Sequence, residues 1–372
     1  MALWKMKGKS ALKQYFCKHI IFKRFMDGTH EIFMHRCLQL ARLASGFTAP
    51  NPMVGAVLVH NGRVIGEGFH QIYGQAHAEV NCVNSVAASD RQLIPQSTMY
   101  VSLEPCAHHG KTPPCADLIV REQIPQVVIG CVDTFSAVSG KGIEKLKAAG
   151  VKVITGVLEK ECRELNKRFF TFHEKKRPYI ILKWAQTADG FIASHTGPVR
   201  ISGEVSDRLV HRWRSEEMSI MVGTRTAIVD NPRLSNRLWG GLHPIRLVLD
   251  PQLKVPRDHF VYDYNALSFF ITDKQTPVPE SMQAVSLDFS APFLPQLMEA
   301  LHGRQVQSVL VEGGANLLQQ FIDGGYWDEA RIITGQAVLG EGLQAPQLKH
   351  AILHETITLD GDTVATYSKH QQ

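Results

Sequence analysis

Apolar residues return at helical spacing over residues 31–45, where Ile32, Phe33, Cys37, Leu40, Ala41 and Ala44 share one face, and a helix is expected there. The pattern then changes. A turn at Ala49-Pro50-Asn51-Pro52 precedes an apolar run over 54–59, and Asn61-Gly62 is a hairpin signal before a second strand-like run over 63–69. Helical patterns over 77–88, 114–122 and 142–149 alternate with strand patterns over 98–103, 126–132 and 151–154. Such alternation predicts a layered α/β domain. The charged stretch 159–177 predicts a linker helix ending at Pro178. A second series follows, with strands over 179–184, 219–222, 245–249, 268–271 and 308–311 and a helix near 204–217. The expected organisation is a basic, disordered extension over 1–30, a first domain over 31–158, the linker helix, and a second domain over 178–372.

A chain of 372 residues is too long for one ordinary core, which agrees with two domains. No apolar run approaches the roughly 18–20 residues that span a bilayer, so no membrane partner is expected. Residues 1–25 hold seven Lys/Arg and no Asp or Glu, and setting them aside turns the net charge of +5 into −2. A body so close to neutral argues against nucleic-acid binding. Seven cysteines, odd in number and scattered, form no secreted disulfide framework, so a cytoplasmic location is expected.

The sharpest signal is His77-Ala78-Glu79 followed by Pro105-Cys106 and Cys115. One imidazole and two thiolates suit Zn²⁺ and leave a fourth position for water, whose pKa the metal lowers. Glu79, two residues past the first ligand, is placed to shuttle a proton from that water to a leaving amine. This order of residues is the signature of nucleobase deaminases, although here the cysteines are nine apart rather than three.

That departure narrows the family. The stretch SLEPCAHHGKTPPCADLI over 102–119, with HAEVN over 77–81, resembles the pyrimidine deaminases of riboflavin biosynthesis. The likeness continues through Asn51-Pro52, Val54-Gly55, Gly66, Gly68 and His70. It implies that Asn51, His70, Lys111 and Asp133 hold the pyrimidine and its phosphoribosyl group. His108 and His109 are expected to shape the loop or meet a substrate edge rather than bind the metal. Two departures stand out: Thr134-Phe135-Ser136 replaces a proline-rich turn, and the chain between Asn81 and Thr98 is longer than usual, as a surface insertion would make it.

The second half resembles the partner reductase of the same pathway. The matches are the run 179–183, Thr187 with Asp189-Gly190, Ile201-Ser202, Gly223 with Thr226, Asp230-Asn231-Pro232 with Leu234, the run 246–250, and Val311-Glu312-Gly313-Gly314-Ala315-Asn316. The resemblance implies a cytidine-deaminase-like α/β/α domain followed by a dihydrofolate-reductase-like α/β domain. By the same likeness NADPH lies along Ala185, Arg200, Thr226, Asp230, Gly314, Ala315 and Asn316. Lys183, Arg214, Arg233, Leu234, Arg237 and Glu312 face the phosphoribosyl substrate. Relatives often carry Trp where this chain has Arg200.

The expected function is hydrolytic deamination of 2,5-diamino-6-(5-phosphoribosylamino)pyrimidin-4(3H)-one, then NADPH-dependent reduction of 5-amino-6-(5-phosphoribosylamino)uracil to the ribityl compound. The expected partners are these small phosphoribosyl pyrimidines and further copies of the chain in a homo-oligomer. Two other readings stay open: a deaminase with a degenerate reductase domain, suggested by Arg200, and a zinc-stabilised nucleic-acid-binding module.

Overall fold

The computed structural model describes residues 30–107, 113–134 and 140–370. The basic extension therefore lies outside the described residues except at its last position. The chain divides into two compact units, Met1–Asn166 and Lys167–Gln372.

In the first unit a helix over 30–42 (α1) turns Met34, Cys37, Leu38 and Ala41 inward. Strands β1 (Gly55–His60) and β2 (Arg63–Phe69) pair antiparallel across Asn61 and Gly62, both at positive φ (47° and 78°), as a tight two-residue turn requires. Helix α2 (Ala78–Asn84) and a short 3₁₀ segment (Ala88–Gln96), which occupies the expected insertion, lead to β3 (Thr98–Leu103). Then come α3 (Cys115–Arg121), β4 (Gln126–Cys131), α4 (Lys141–Ala148), β5 (Lys152–Thr155) and α5 (Glu159–Leu165). The sheet order is β2-β1-β3-β4-β5, parallel from β3 onward.

One face of this sheet buries Ala56, Leu58, Met99, Val101, Val127 and Ile129 against Cys82 and Val83 of α2, Ile119 of α3 and Leu146 of α4. The other face is covered by α1 and α5. There the approach is so close that a Cβ at Gly55 would stand 2.0 Å from the Cys37 carbonyl oxygen, and one at Gly130 2.3 Å from Cys162 Sγ. Helices on both faces make this the α/β/α sandwich expected from the sequence.

The stretch 159–177 forms two helices rather than one. Asn166 leaves helical geometry (φ −105°, ψ 24°) because its side-chain amide is drawn to the backbone of Met53: Oδ1 accepts from Met53 N at 2.8 Å and Nδ2 donates to Met53 O at 2.9 Å.

The second unit opens with α6 (Lys167–Lys175), β6 (Tyr179–Gln186), β7 (Phe191–Ala193), α7 (Glu204–Glu216), β8 (Ser219–Gly223), α8 (Thr224–Asp230) and β9 (Ile245–Leu249). It continues through β10 (Ser268–Asp273), β11 (Ala284–Leu287), α9 (Phe293–Gly303), β12 (Ser308–Val311), α10 (Ala315–Asp323), β13 (Glu329–Thr334), β14 (Leu343–Gln344), β15 (Ala351–Leu359) and β16 (Asp362–Lys369). Nine strands form one sheet in the order β11-β10-β9-β8-β12-β6-β13-β16-β15. The pairs run parallel up to β13, and the hairpin β15–β16 closes the edge antiparallel. Helices α9 and α10 pack Leu297, Leu301, Leu318 and Phe321 on one face, while α7 lays Val210 and Trp213 over Tyr179, Ile181 and Leu310 on the other. Among the described residues no helix is long and apolar enough to cross a membrane.

Candidate active sites

Three segments bring together the candidate metal-ligating side chains of the first unit. His77 immediately precedes α2 in extended conformation, Cys106 follows the end of β3, and Cys115 is the first residue of α3. His77 Nδ1 lies 3.6 Å from Cys106 Sγ and 3.4 Å from Cys115 Sγ, and the three ligand atoms fall within 4.8 Å of one another. A tetrahedral zinc with Zn–S near 2.3 Å and Zn–N near 2.05 Å separates its S and N ligands by about 3.6 Å. The cluster fits that ion.

Hydrogen bonding to the Cys115 thiol and to His77 pulls the Cys106 thiol far below its usual value despite burial, which favours the thiolate a metal needs. Glu79, on the first turn of α2, is buried; desolvation, helped by the charge of Cys106, pushes its carboxyl up to about 6. A carboxyl near neutrality can both accept and return a proton.

Asn51 and His70 stand beside this cluster. His70 packs edge-on to His77 with centroids 5.4 Å apart, and burial holds its pKa below the usual value. Its Nδ1 donates to the Ala76 carbonyl at 3.1 Å, which leaves Nε2 to accept from Asn51 Nδ2 at 3.1 Å. The Asn51 side-chain oxygen is thereby turned away from His70. Asp133, just past β4, is buried. Lys111, His108 and His109 lie outside the described residues, as do Phe135 and Ser136.

In the second unit the parallel register pairs Leu182 of β6 with Val311, the last residue of β12, so Lys183, within β6, and Glu312, just past β12, lie side by side. Lys183 Nζ is 4.0 Å from Glu312 Oε2. Arg214 reaches down from α7 and grips the same carboxylate with two bonds, Nε to Oε1 at 2.8 Å and Nη2 to Oε2 at 2.7 Å, while Nη1 donates to Ser235 O at 3.2 Å. Burial opposes the Glu312 charge, but Arg214 and Lys183 outweigh it and hold the carboxyl down at about 2. Lys183 is lowered by burial, with Glu312 opposing. Arg214 is thus engaged with Glu312 and with the loop that carries Arg237.

That loop is pinned again by His211. The Arg237 backbone N–H donates to His211 Nδ1 at 3.1 Å, and burial, with Arg214 and Arg237 nearby, pushes the His211 ring down to about 4. Arg237 itself is exposed, and Leu234 is buried at φ +49°. A non-glycine residue held there is strained, as loops at functional sites often are. Arg233 lays its guanidinium over the Phe260 ring, 3.8 Å from the centroid.

The Gly313-Gly314 turn after β12 needs its glycines. A Cβ on Gly313 would stand 2.6 Å from Val222 Cα, and Gly314, at φ +44°, lies so close to α8 that its Cβ would be 3.1 Å from Thr226 Oγ1. Thr226, Gly314 and Ala315, the first residue of α10, therefore converge. Asn316 is exposed and accepts from Gln320 Nε2 at 2.6 Å. Asp230 ends α8 at the surface, and Ala185 follows Lys183 two residues on along the same face of β6. Arg200 is exposed, ion-paired with Asp207 at 3.1 Å and donating to Ser202 O at 3.1 Å. Glu104, which bonds Asp133 N in the first unit, and His211, which holds the Arg237 backbone in the second, are absent from the residues singled out in the sequence.

The family described as "RibD C-terminal domain" matches residues 178–364, and the "Cytidine and deoxycytidylate deaminase zinc-binding region" matches residues 27–131. The riboflavin biosynthesis protein RibD of Aquifex aeolicus is 38% identical over 331 residues, which is 87% of this chain and 92% of that one. A solved diaminohydroxyphosphoribosylaminopyrimidine deaminase/5-amino-6-(5-phosphoribosylamino)uracil reductase from Thermotoga maritima superposes with a TM-score of 0.85 at 34% identity, covering 92% of this chain and 99% of its own. RibD of Acinetobacter baumannii gives a TM-score of 0.84 at 30% identity, over 92% and 99% of the two chains.

Proposed function

The chain belongs to the RibD family of bifunctional deaminase–reductases that act on pyrimidine intermediates of riboflavin biosynthesis, and we propose how its residues divide the two reactions. In the first unit His77 Nδ1, Cys106 and Cys115 hold zinc, which supplies an activated water when bound. Glu79 takes a proton and delivers it to the departing amine. Asn51 offers its side-chain oxygen to the pyrimidine edge, with His70 fixing the orientation of the amide. Asp133 and Lys111 contact the phosphoribosyl group. The observation that carries this reading is the pair of S–N separations, 3.6 and 3.4 Å, already at the spacing a tetrahedral zinc needs.

In the second unit the glycine turn at 313–314, with Thr226, Ala315 and Asn316, takes NADPH, whose nicotinamide supplies hydride when bound. Ala185 and Asp230 border it. Arg200, held by Asp207, offers a cation for a cofactor phosphate. Lys183 polarises the sugar that is reduced, held in place by Glu312. Arg237, Arg233 and Leu234 form the wall toward the ribosyl phosphate. Arg214 acts there chiefly by anchoring Glu312 and the 235–237 backbone.

We further propose that copies associate through β15. It is the edge strand of the nine-stranded sheet, exposed from residue 352 to 358, and shows Ile352, Leu353 and Ile357 to solvent. Light scattering should give more than the 41.5 kDa of one chain. Purified protein given the diaminopyrimidine substrate and NADPH tests the division of labour, with ammonia release and NADPH oxidation followed together. Ammonia without NADPH loss would overturn the reductase assignment, and no ammonia would overturn the deaminase assignment, with reduction then judged on the already deaminated phosphoribosylaminouracil.

A further inference from the structure

Glu104 closes the buried strand β3, one residue before the Pro105-Cys106 pair, and its side chain is hidden in the protein. Among the described residues its carboxylate bonds no other side chain; it is filled by peptide N–H groups. Oε2 accepts from Gly140 at 3.0 Å and Asp133 at 3.3 Å, and Oε1 accepts from Gly142 at 2.9 Å and Ile143 at 3.3 Å. An ionised carboxylate offers about four acceptor sites. Here all four are taken.

A group so saturated has no lone pair left for a metal or a travelling proton. What it does have is reach across three segments: the end of β4 with Asp133, the approach to α4 at Gly140, and the first turn of α4. The joint is tight. A Cβ on Gly142 would stand 1.9 Å from the Pro105 carbonyl oxygen, so α4 abuts the backbone that delivers Cys106. Cys106 is gripped from its other side by α3, its carbonyl accepting from Ala116 N at 3.1 Å and its Sγ from Cys115 N at 3.3 Å.

We propose that Glu104 is a positioning residue of the deaminase, holding Asp133 in register with Cys106 through one shared carboxylate. This rests on the reading of Asp133 as a substrate contact and Cys106 as a metal ligand. Glutamine preserves size but brings two N–H donors where two acceptors stood. At least two of the four peptide N–H groups then lose their partner, and Asp133 N loses this tether to β3's end.

The test is a double-mutant cycle in the full, zinc-loaded chain. Glu104→Gln, Asp133→Ala and the pair are assayed for zinc content and for KM and kcat of ammonia release, with NADPH oxidation as an internal control. Glu104→Gln is expected to keep its zinc, hold kcat within about three-fold and raise KM roughly ten-fold. In the Asp133→Ala background the same change should add less than about two-fold. A parent-like KM in Glu104→Gln beside a damaging Asp133→Ala overturns the proposal alone, as does an equal rise in both backgrounds or loss of zinc. A silent Asp133→Ala overturns the substrate-contact reading and the proposal with it. If the Gln variant does not fold, Glu104→Asp takes its place in the cycle, keeping the charge on a stem one methylene shorter, and the same dependence on Asp133 is expected.

Discussion

Glu79 in the first unit and Glu312 in the second are both shielded from solvent, yet their carboxyls are driven in opposite directions, up to about 6 and down to about 2. Burial penalises both charges. Glu79 has the negative Cys106 for company, whereas Glu312 is clasped by Arg214 with Lys183 beside it. The first unit thus places a carboxyl that can change protonation next to a cluster of metal-seeking atoms. The second builds its site from charges that stay fixed, so its geometry depends on ion pairs holding together. The two sites should therefore fail in different ways, and each should fail without the other.

The largest effect is expected from Cys115→Ala, which removes a ligand from a three-ligand cluster. Elemental analysis should show zinc lost and ammonia release abolished, while NADPH oxidation with the deaminated substrate continues. Full zinc retention would sink the ligand assignment.

Glu79→Gln comes next. It keeps shape but carries no transferable carboxyl proton, so deamination should fall by roughly 10²–10⁴, with zinc still bound and reduction near the parent rate. Loss of both reactions in a folded, zinc-loaded protein would break the comparison at its root.

Arg214→Ala strips Glu312 of its bidentate partner. Breaking a buried pair costs about 3–5 kcal/mol, so a lower unfolding temperature and impaired NADPH oxidation are expected, with ammonia release intact. Arg214→Lys should restore stability only in part, because an ammonium cannot form the fork.

Acid should discriminate more gently. Glu312, Glu217 and Glu329 are all held below the usual Glu value of 4.5 by neighbouring cations, against burial. Their contribution to stability is therefore fully present above about pH 4.5 and is lost as pH falls through the folded values, about 2 for Glu312. The described tryptophans, Trp184, Trp213, Trp239 and Trp327, all belong to the second unit, so their fluorescence reports its acid unfolding. An Arg214→Ala protein should begin that transition at higher pH than the parent.

The smallest effect is expected from removing residues 1–25. They lack the apolar periodicity that begins at Ile32, and a chain starting at Met26 should keep both activities. A folded but inactive truncation would contradict this.

The two units also differed in how far their sequences could be read. His77, Glu79, Cys106 and Cys115 stood out because a metal accepts few residue types, and chance seldom sets them in that order. Lys183, Arg214 and Glu312 are ordinary charged residues, and only the register of β6 against β12 and the angle of α7 bring them together. Local pattern located every strand of the first sheet but in the second missed β11, β13 and the hairpin β15–β16, although Asp360-Gly361, at φ 48° and 91°, sits between runs rich in Ile, Val and Thr and carries a turn signal of its own. The break at Asn166 was illegible because its cause, the backbone of Met53, is 113 residues away in the chain. Glu104 was hidden differently. A lone acid at the end of an apolar strand gives little notice, and its four partners are peptide groups without any residue signature.

Asn166 is the last residue of the first unit, and its amide grips Met53, two residues after Asn51. In mechanical terms the chain leaves this unit through a fixed anchor rather than a free end. Tension or twist carried along the backbone at Lys167 is shared at once with the loop that carries Asn51. A connector cut or lengthened on the far side of Asn166 leaves that anchor whole, whereas one spliced on its near side releases the Asn51–Met53 loop as well.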